Sequence, residues 1–440
     1  MTNNTLTVFE YSEKEINAES GFELKPKEIL VLEKLRDRMR KIYRCDIISL
    51  EYKHNEAYKL RTSSYVGVFQ IGNKTIQILP KMSRGAMGNE EYNKQAIKNL
   101  LFMLTYTKKL QIRETDIASL HKVSDNFFEV LIFLFAKNLL RLVQNDISKQ
   151  YVYCEDNLTY IKGKLQFSNH IKHNMAARNR FYLEYDEFCE DNPMNRIFKY
   201  VAHFLSKISN NYWNIKLLNQ LNFIFNEVTF KKSSLADIDQ IILTRLNKGY
   251  EPILQLCRIF IGNSSLELNS RNVISFSFVF DMNVLFEEFI GEFIRKSFSA
   301  YYEQISLQRP IRYLVEDKIM NENSSGRVFQ LKPDIQFFQN SKNPVLIMDT
   351  KYKILNDSGD KKEGVAQSDL YQMNAYAKKY LCSQIILLYP RLADQKDRNI
   401  KFVIDKDVIV RVGTVDLTHD FKKMKERNKL KNEISRLINL

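Results

Sequence analysis

Two apolar, strand-like runs near the carboxyl end of the chain each carry an aspartate, and they constrain the fold more than any other feature. In the segment LKPDIQFFQNSKNPVLIMDTKYK, Asp334 begins the first run and Asp349 ends the second, with fourteen residues between them. An unpaired ionised carboxylate is costly in an apolar setting. The two charges are therefore either paired for structural reasons, or they hold a ligand that requires them.

The spacing predicts an antiparallel hairpin whose two aspartates converge at one end of a sheet. Convergent carboxylates repel each other unless a cation lies between them, and their oxygens suit Mg²⁺, with Mn²⁺ as a substitute. Lys351 follows Asp349 by two residues, so on a strand both side chains leave from the same face. An ammonium there can orient an attacking water or offset charge that develops on a phosphate. This set of residues predicts phosphodiester hydrolysis.

An isolated pattern of this kind also arises from a structural ion pair. Asp349 and Lys351 can neutralise each other on an edge strand, with Asp334 in a turn. The flanking segments favour the functional interpretation, because a helix with acidic residues precedes the two strands and DLYQMNAYA follows them. The latter segment places Gln372 and Tyr376 four residues apart on one helix face.

Bulk composition narrows the class of protein. The 440 residues suffice for two or three domains, and a 44% hydrophobic, 27% charged composition is typical of globular proteins. No apolar run reaches the roughly 20 residues that cross a bilayer, and the polar N-terminus lacks a secretory signal. The five cysteines form no CxxC pair, which indicates a reduced, cytoplasmic protein without membrane partners. The net charge of +14 favours a polyanionic partner such as double-stranded DNA.

The hydrophobic period changes along the chain, which predicts a multidomain α+β protein. A hairpin with a tight turn at Gly72 and Asn73 is expected near the N-terminus. The predicted parts are a β-rich N-terminal domain, a mainly helical middle region, an α/β domain and a basic C-terminal helix, over residues 1–91, 92–268, 269–418 and 419–440.

The pattern P-D-x14-D-T-K resembles that of the PD-(D/E)xK nuclease superfamily, and DLYQMNAYA resembles the Q-x-x-x-Y element of its RecB-like members. Further segments make the resemblance more specific. In chain order these are GVFQIGNKTIQILPKM, YIKGKLQF, EYDEFCEDNPMNRIFKY, FDMNVLFEEFI, LKPDI, IMDTKYK and DLYQMNAYA. Together they resemble the McrC family, the nuclease subunits of McrBC-type and LlaJI-like restriction systems, over residues 66–388.

The resemblance implies a C-terminal α/β domain of the restriction-endonuclease-like PD-(D/E)xK fold that cleaves DNA with Mg²⁺. It assigns the catalytic positions to Asp334, Asp349 and Lys351. Further metal ligands would be the Glu287 side chain, with Glu288 as the alternative, and the Thr350 carbonyl. The residues expected to bind DNA or to support the site are Gln372, Tyr376 and Lys353.

The resemblance also implies a partner. McrC-like proteins dock through their N-terminal part onto a hexameric AAA+ GTPase, McrB, and stimulate its hydrolysis of GTP. This chain has no G-x-x-x-x-G-K-[ST] loop, so GTP would be bound by the partner. The cations near the hairpin that could act on the partner are Arg61, Lys74, Lys81 and Arg84. They could equally be edge charges that discourage aggregation of a β-domain.

Two other functions remain open at this point. The chain could be a regulatory and assembly subunit whose nuclease-like domain does not cleave, or a stand-alone RecB-like repair nuclease. Lys162 and Lys164 could contact either phosphates or a protein partner. The sequence does not separate modification-dependent restriction of 5-methylcytosine DNA from sequence-specific restriction.

Overall fold

The computed structural model divides the chain into two compact units. The first combines Met1–Phe127 with Ser277–Leu440, and the second is Phe128–Phe276. The residues that the structure describes are 4–53, 57–82, 90–107, 126–145, 147–177, 179–265, 274–320, 323–324, 326–355, 361–392, 395–405 and 407–439.

This division differs from the predicted one, which separated the N-terminal domain from the C-terminal α/β domain. The two belong to one unit for two reasons: a strand from after residue 274 joins the sheet of the N-terminal hairpin, and the helix at Glu90–Tyr106 packs against the helix at Met282–Phe298. Rings of Tyr106 and Phe289 meet edge to face in that contact, with centroids 5.3 Å apart. Local sequence patterns carry no signal for such long-range pairing.

The helices of the described residues are α1 (Pro26–Tyr43), α2 (Glu90–Tyr106), α3 (Phe127–Asn145), α4 (Phe167–Asn174), α5 (Pro193–Ser206), α6 (Tyr212–Ile224), α7 (Leu235–Asp239), α8 (Glu251–Asn263), α9 (Met282–Phe298), α10 (Gln367–Tyr380) and α11 (Met424–Ile438). The strands are β1 (Thr5–Phe9), β2 (Glu13–Ile16), β3 (Ile48–Tyr52), β4 (Tyr58–Thr62), β5 (Tyr65–Ile71), β6 (Lys74–Leu79), β7 (Gln150–Leu158), β8 (Lys164–Leu165), β9 (Phe181–Cys189), β10 (Ser264–Ser265), β11 (Ser275–Asp281), β12 (Gln304–Leu307), β13 (Arg312–Val315), β14 (Ile319–Met320), β15 (Asn323–Ser324), β16 (Val328–Leu331), β17 (Ile335–Phe338), β18 (Leu346–Thr350), β19 (Gln384–Arg391), β20 (Asn399–Asp405) and β21 (Val408–Asp416).

The N-terminal part of the first unit is built on the predicted hairpin. β5 and β6 pair antiparallel across a two-residue turn, and Gly72 takes a φ of 57°, which a glycine adopts without steric cost. β1 pairs parallel with β6, and the strand order is β1, β6, β5 and β11. Every residue of β5 is buried. The predicted hairpin is confirmed. The position of β11 next to β5 was not predicted.

Helix α1 lies in a region that was predicted to be β-rich. Pro26 at its start and the buried residues Ile29, Leu32 and Leu35 at three-to-four spacing are ordinary helix signals. The long helix therefore corrects the prediction for residues 1–91. Along the chain, β2 precedes this helix and β3 and β4 follow it, and the three strands pair in one sheet in the order β2, β4, β3.

The second unit contains α3, apart from its first residue, and helices α4 to α8, together with strands that were not predicted. Helix α2, which lies within the predicted middle region, belongs to the first unit. β7 and β9 form a nine-residue antiparallel ladder, and β8 joins it. No strand was predicted for the segment FYLEYDEFC, because its apolar and acidic residues alternate, as in a strand, only from Leu183 to Asp186.

The C-terminal sheet has six strands in the order β12, β17, β18, β19, β21, β20. β17 and β18 are antiparallel, whereas β18, β19 and β21 run parallel. Helix α9 precedes this sheet, α10 connects β18 to β19, and α11 packs on β21. The sequence pattern predicts the order helix, strands, helix and strands for this domain, and the structure confirms it. The apolar faces of α9 and α10 are both buried.

All five cysteines are free thiols, and Cys257 and Cys382 are buried. Among the residues that the structure describes, none of the helices has the length and apolar character needed to cross a membrane.

Gly67 provides a test of how β5 meets β11. Its φ is +140°, and a Cβ at this position would lie 2.1 Å from the carbonyl oxygen of Phe278. We expect Gly67→Ala to lower the free energy of unfolding by about 3 kcal/mol or more, because a backbone atom must move. Gly21 has a φ of +76° but open space around it, so Gly21→Ala should cost only about 1 kcal/mol. Equal losses in denaturant titrations of the two variants would contradict the close approach of the strands.

Candidate active site

The two aspartates lie at the same end of the C-terminal sheet. Asp334 directly precedes β17 and Asp349 lies in β18, and the pairing of Ile335 with Met348 brings the two into register. Asp334 Oδ2 accepts hydrogen bonds from the backbone N–H and the hydroxyl of Thr350, both at 2.7 Å. The Asp334 carboxylate therefore links the start of β17 to the end of β18.

Lys351 occupies the position directly after β18. Its Nζ lies 2.6 Å from Asp349 Oδ2 and donates to Gln372 Oε1 at 2.9 Å. Gln372 Nε2 donates in turn to the Tyr376 hydroxyl at 2.8 Å, and that hydroxyl donates to the Lys332 carbonyl at 3.2 Å. The helix element predicted to support the site thus touches the lysine directly.

Glu287 approaches the same place from helix α9. Burial, together with the charge and contact of Asp334, raises its pKa to about 7. Its carboxyl accepts a hydrogen bond from the side chain of Gln308. Glu287 and Glu288 are the two glutamates expected as an additional metal ligand. Of the two, Glu287 interacts with Asp334. One carboxylate oxygen of Glu288 is buried.

Gln308 joins three parts of the site and was missed by the sequence analysis. Its side chain contacts Glu287 and accepts from Lys332 Nζ at 3.2 Å, and its backbone N–H donates to the Asp334 carbonyl at 2.8 Å. Its φ of +50° is uncommon for a residue other than glycine. It lies just after β12 in no recognisable motif, so only the position of β12 beside β17 reveals it.

The electrostatics of the site are strongly perturbed. Asp349 is 1% exposed, and burial together with the charges of Asp334 and Glu287 raises its pKa to about 7, although Lys351 acts in the opposite direction. For Lys351, burial lowers the pKa, but Asp349 and Asp334 outweigh burial and hold it above its ordinary value. The lysine is therefore cationic at neutral pH, and the carboxyl groups carry an excess of negative charge.

Lys353 points to a neighbouring acid rather than to the two aspartates. Its Nζ lies 3.3 Å from Oδ2 of the buried Asp369, which also accepts from the Tyr389 hydroxyl at 3.2 Å. More than half of the Lys353 side chain is exposed. Asp369 was missed, although it opens the segment that contains Gln372 and lies in the first turn of α10.

Oxygen donors of this kind fit a divalent cation. Among the described residues, no group of three His, Cys, Asp or Glu side chains is arranged as a preformed metal site. The fit rests instead on chemistry: Glu287, Asp334 and Asp349 supply hard oxygens, and Asp334 raises the pKa of both others, which a cation would relieve.

The cations near the N-terminal hairpin have partners within their own unit. Arg61 forms ion pairs with Glu13 at 2.9 Å and with Glu51 at 3.1 Å, and Lys74 pairs with Glu28 at 3.1 Å. In the second unit, the corresponding candidates are also paired, in the bridges Lys162–Glu187 and Lys164–Glu184, both at 2.9 Å. Their action on a partner or on phosphates stays a prediction.

Lys81 lies in a buried cluster that the sequence analysis did not foresee, and Arg84 lies outside the described residues. The backbone N–H of Lys81 and the hydroxyl of Tyr352 both donate to Glu10 Oε2, each at 2.9 Å. Glu10 is fully buried, and burial raises its pKa to about 7 despite the nearby Lys81.

These observations define a class of site: convergent carboxylates and a lysine at the end of a mixed sheet, supported by a glutamine from the following helix. A family model described as "McrBC 5-methylcytosine restriction system component" matches residues 60–390. The match covers more than half of the chain, and the chain therefore belongs to this family.

Relatives and solved structures agree with that assignment. The Type IV methyl-directed restriction enzyme EcoKMcrBC of Escherichia coli (strain K12) is 24% identical over an alignment of 296 residues, and the match covers 64% of this chain and 80% of that protein. The fold is similar to a chain in the half-complex of Thermococcus gammatolerans McrB AAA+ hexamers with bound McrC, with a TM-score of 0.73, 22% identity, and coverage of 98% of this chain and 100% of that one. A chain of the Thermococcus gammatolerans McrBC complex gives a TM-score of 0.53 at 26% identity, over 67% of this chain and 88% of that one.

The buried carboxyl of Glu10 generates a prediction about pH. Its pKa in the fold is about 7, above the value in an unfolded chain, so ionisation opposes folding. As the pH rises from about 4 to 7, Glu10→Gln should lose up to about 3 kcal/mol less stability than wild type, because that part of the loss comes from Glu10. Unfolding midpoints across this pH range check the prediction, with Glu19→Gln at an exposed site as the control. Parallel curves for wild type and Glu10→Gln would contradict it.

Proposed function

We propose that this chain is the DNA endonuclease subunit of a McrBC-type restriction system, with a PD-(D/E)xK nuclease domain at its C-terminal end. One observation carries the proposal: Asp334, Asp349 and Lys351 converge at the end of one hairpin, and Gln372 holds the lysine. The family description supports restriction as the biological context. The proposed reaction is hydrolysis of a DNA phosphodiester that depends on Mg²⁺, for which Mn²⁺ can substitute.

The proposed metal ligands are Asp334 and Asp349, with the Thr350 carbonyl and the Glu287 side chain completing the set. When bound, a divalent cation would polarise the scissile phosphate and lower the pKa of a coordinated water. The chain's own contribution is to fix the ligands: Thr350 donates two hydrogen bonds to Asp334, and Gln308 donates to Glu287. Oriented ligands of this kind favour a defined coordination geometry.

Lys351 is the proposed electrostatic catalyst. Asp349 and Gln372 fix its ammonium from two sides, and the surrounding carboxylates keep it protonated. A fixed cation in a partly buried site can orient the attacking water and stabilise the charge that develops on the phosphate oxygens. Lys353, which is largely exposed beside Asp369, is suited to contact the DNA backbone a short distance from the cut.

The proposed partner is a McrB-like AAA+ GTPase hexamer. The similar Thermococcus gammatolerans structure contains McrB AAA+ hexamers with bound McrC. We propose that the partner binds GTP, that this chain stimulates its hydrolysis, and that the substrate is double-stranded DNA, which the net charge of +14 attracts. A system that acts on DNA with a GTPase would work in the cytoplasm.

A non-cleaving assembly subunit is the second candidate. The observation that favours it is the lack, among the described residues, of a preformed cluster of three metal-binding side chains. In that case the ion pair between Asp349 and Lys351 would serve structure, and stimulation of the partner GTPase would be the activity. Cleavage assays on matched variants separate the two candidates.

We expect Asp349→Asn and Lys351→Met each to lower the rate of DNA cleavage at least about a hundredfold, because each removes a group that acts in the transition state. The assay combines the full chain, the AAA+ partner, Mg²⁺, GTP, and methylated or unmethylated plasmid. Asp407→Asn, at an exposed position beside β21, is the matched control and should cleave normally. Stimulation of the partner GTPase should survive in all three variants.

Two results would contradict the endonuclease assignment. The first is an absence of cleavage by wild type under all these conditions while GTPase stimulation persists, which favours the assembly subunit. The second is cleavage by Asp349→Asn at the wild-type rate, which would place the chemistry elsewhere.

A further inference from the structure

Two ionisable residues, Glu10 and Lys81, lie next to each other where β1 and β6 end in the first unit. These strands run parallel, so their carboxyl ends meet at one edge of the sheet. Glu10 directly follows β1 and its N–H donates to the Leu79 carbonyl at 3.1 Å, while Lys81 lies two residues beyond the end of β6. The backbone N–H of Lys81 then donates to Glu10 Oε2 at 2.9 Å.

Glu10 and Lys81 both bind Tyr352. Lys81 Nζ donates to the Tyr352 carbonyl at 2.9 Å and lies 4.2 Å from the centroid of its ring, a cation–π distance. The Tyr352 hydroxyl donates to Glu10 Oε2 at 2.9 Å. Two residues that follow the N-terminal strands therefore fix the carbonyl, the ring face and the hydroxyl of Tyr352.

Tyr352 directly follows the proposed catalytic lysine. The Lys351 N–H donates to the Leu388 carbonyl at 2.9 Å and continues the pairing of β18 with β19. Beyond this point residues 351–355 form no regular secondary structure. The backbone around Lys351 is therefore held at two points. The Lys351 N–H binds the Leu388 carbonyl, and the Tyr352 carbonyl, one residue later, binds the Lys81 ammonium.

The same tyrosine also touches the helix that supplies Glu287. Its ring centroid lies 5.6 Å from that of Phe286, the preceding residue of α9. Tyr352 is 4% exposed, so both contacts are shielded from water. Two chain segments that carry proposed active-site residues therefore meet at one anchored side chain.

We propose that Lys81 is a positioning residue for Lys351: by holding the Tyr352 carbonyl, its ammonium fixes the direction in which the chain leaves β18 and so the place of the lysine beside Asp349. This inference rests on the proposed function. Through it, the N-terminal strands help to set the geometry of the C-terminal site.

The chemistry of the cluster supports more than a packing role. A buried carboxyl group beside a partly buried ammonium is a costly way to fill space, since each loses its hydration and apolar side chains of similar volume often pack as well or better. Glu10 is buried with an oxygen, Oε1, that has no hydrogen-bond partner among the described residues. Such a cost is understandable if the ammonium must reach one particular carbonyl.

The test compares Lys81→Met and Lys81→Arg with a matched control. Lys14→Met is that control, because Lys14 Nζ also donates to a backbone carbonyl, that of Thr7, in the same unit but away from Tyr352. In single-turnover cleavage with the AAA+ partner, Mg²⁺ and GTP, we expect Lys81→Met to slow cleavage about 10- to 100-fold through a small misplacement of Lys351. DNA affinity should not change, Lys81→Arg should recover part of the rate, and Lys14→Met should match wild type. GTPase stimulation should also stay at the wild-type level, because the Lys81 ammonium is bound to the Tyr352 carbonyl. A loss of stimulation would overturn the inference in favour of the action on the partner that the sequence allows for Lys81.

If Lys81→Met does not fold because Glu10 loses its cation, the double variant Glu10→Gln/Lys81→Met carries the same test without a buried unpaired carboxylate. Hydrogen exchange of peptides that cover residues 346–355 is the second readout, and it does not depend on cleavage. Exchange there should be faster in the Lys81 variants than in wild type or Lys14→Met. Unchanged exchange, or a cleavage rate within twofold of wild type in a folded Lys81 variant, would overturn the inference. Wild type that never cleaves would instead refute the proposed function, while the exchange result still decides whether Lys81 holds this segment.

Discussion

The two hydrogen bonds from Thr350 to Asp334 are the interaction on which the candidate site depends. They join the residue before β17 to the last residue of β18, so the hairpin closes with its carboxylate in a defined orientation. Hydrogen bonds to a charged group are each worth about 1.5 to 3 kcal/mol, enough to hold a strand end against thermal motion. Asp349, one residue earlier, and Lys351, one residue later, take their places from the same strand. Everything else in the site, including the contacts of Gln308 and Gln372, adds to this arrangement.

The repulsion among the carboxyl groups gives the site its chemical character. Burial and the charge of Asp334 raise the pKa of both Glu287 and Asp349 to about 7. The Lys351 ammonium offsets part of this charge at Asp349, and the Lys332 ammonium offsets part of it at Glu287. Concentrated negative charge with incomplete compensation is unfavourable for folding alone, and perturbed pKa values of this kind cluster at functional sites. A divalent cation would resolve the imbalance, and that expectation links the electrostatics to the proposed hydrolysis.

The sequence predicted the local parts of this arrangement well. The hairpin that carries Asp334 and Asp349 follows from two short apolar runs and the polar segment between them, and α10 with Gln372 follows from helical spacing. Gln308 and the Glu10 cluster could not be predicted, because they reach the site through β12 beside β17 and through the joining of N-terminal and C-terminal segments in one unit. The same limit explains why β7 and β9 were not predicted. Their mixture of aromatic and acidic residues shows no regular strand period, and only the ladder between them identifies them as strands. Long-range pairing, rather than local propensity, marks the boundary of what could be predicted.

The proposed chemistry requires that Asp334 and Asp349 hold a divalent cation at the end of the β17–β18 hairpin. Anomalous scattering from crystals of the full chain soaked with Mn²⁺, for wild type and Asp334→Asn, tests this requirement. We expect an anomalous peak about 2.0 to 2.3 Å from carboxylate oxygens of both aspartates in wild type, and no such peak in the variant. A wild-type crystal with saturating Mn²⁺ and no peak between these residues, or with its peak elsewhere, would refute the proposed metal site.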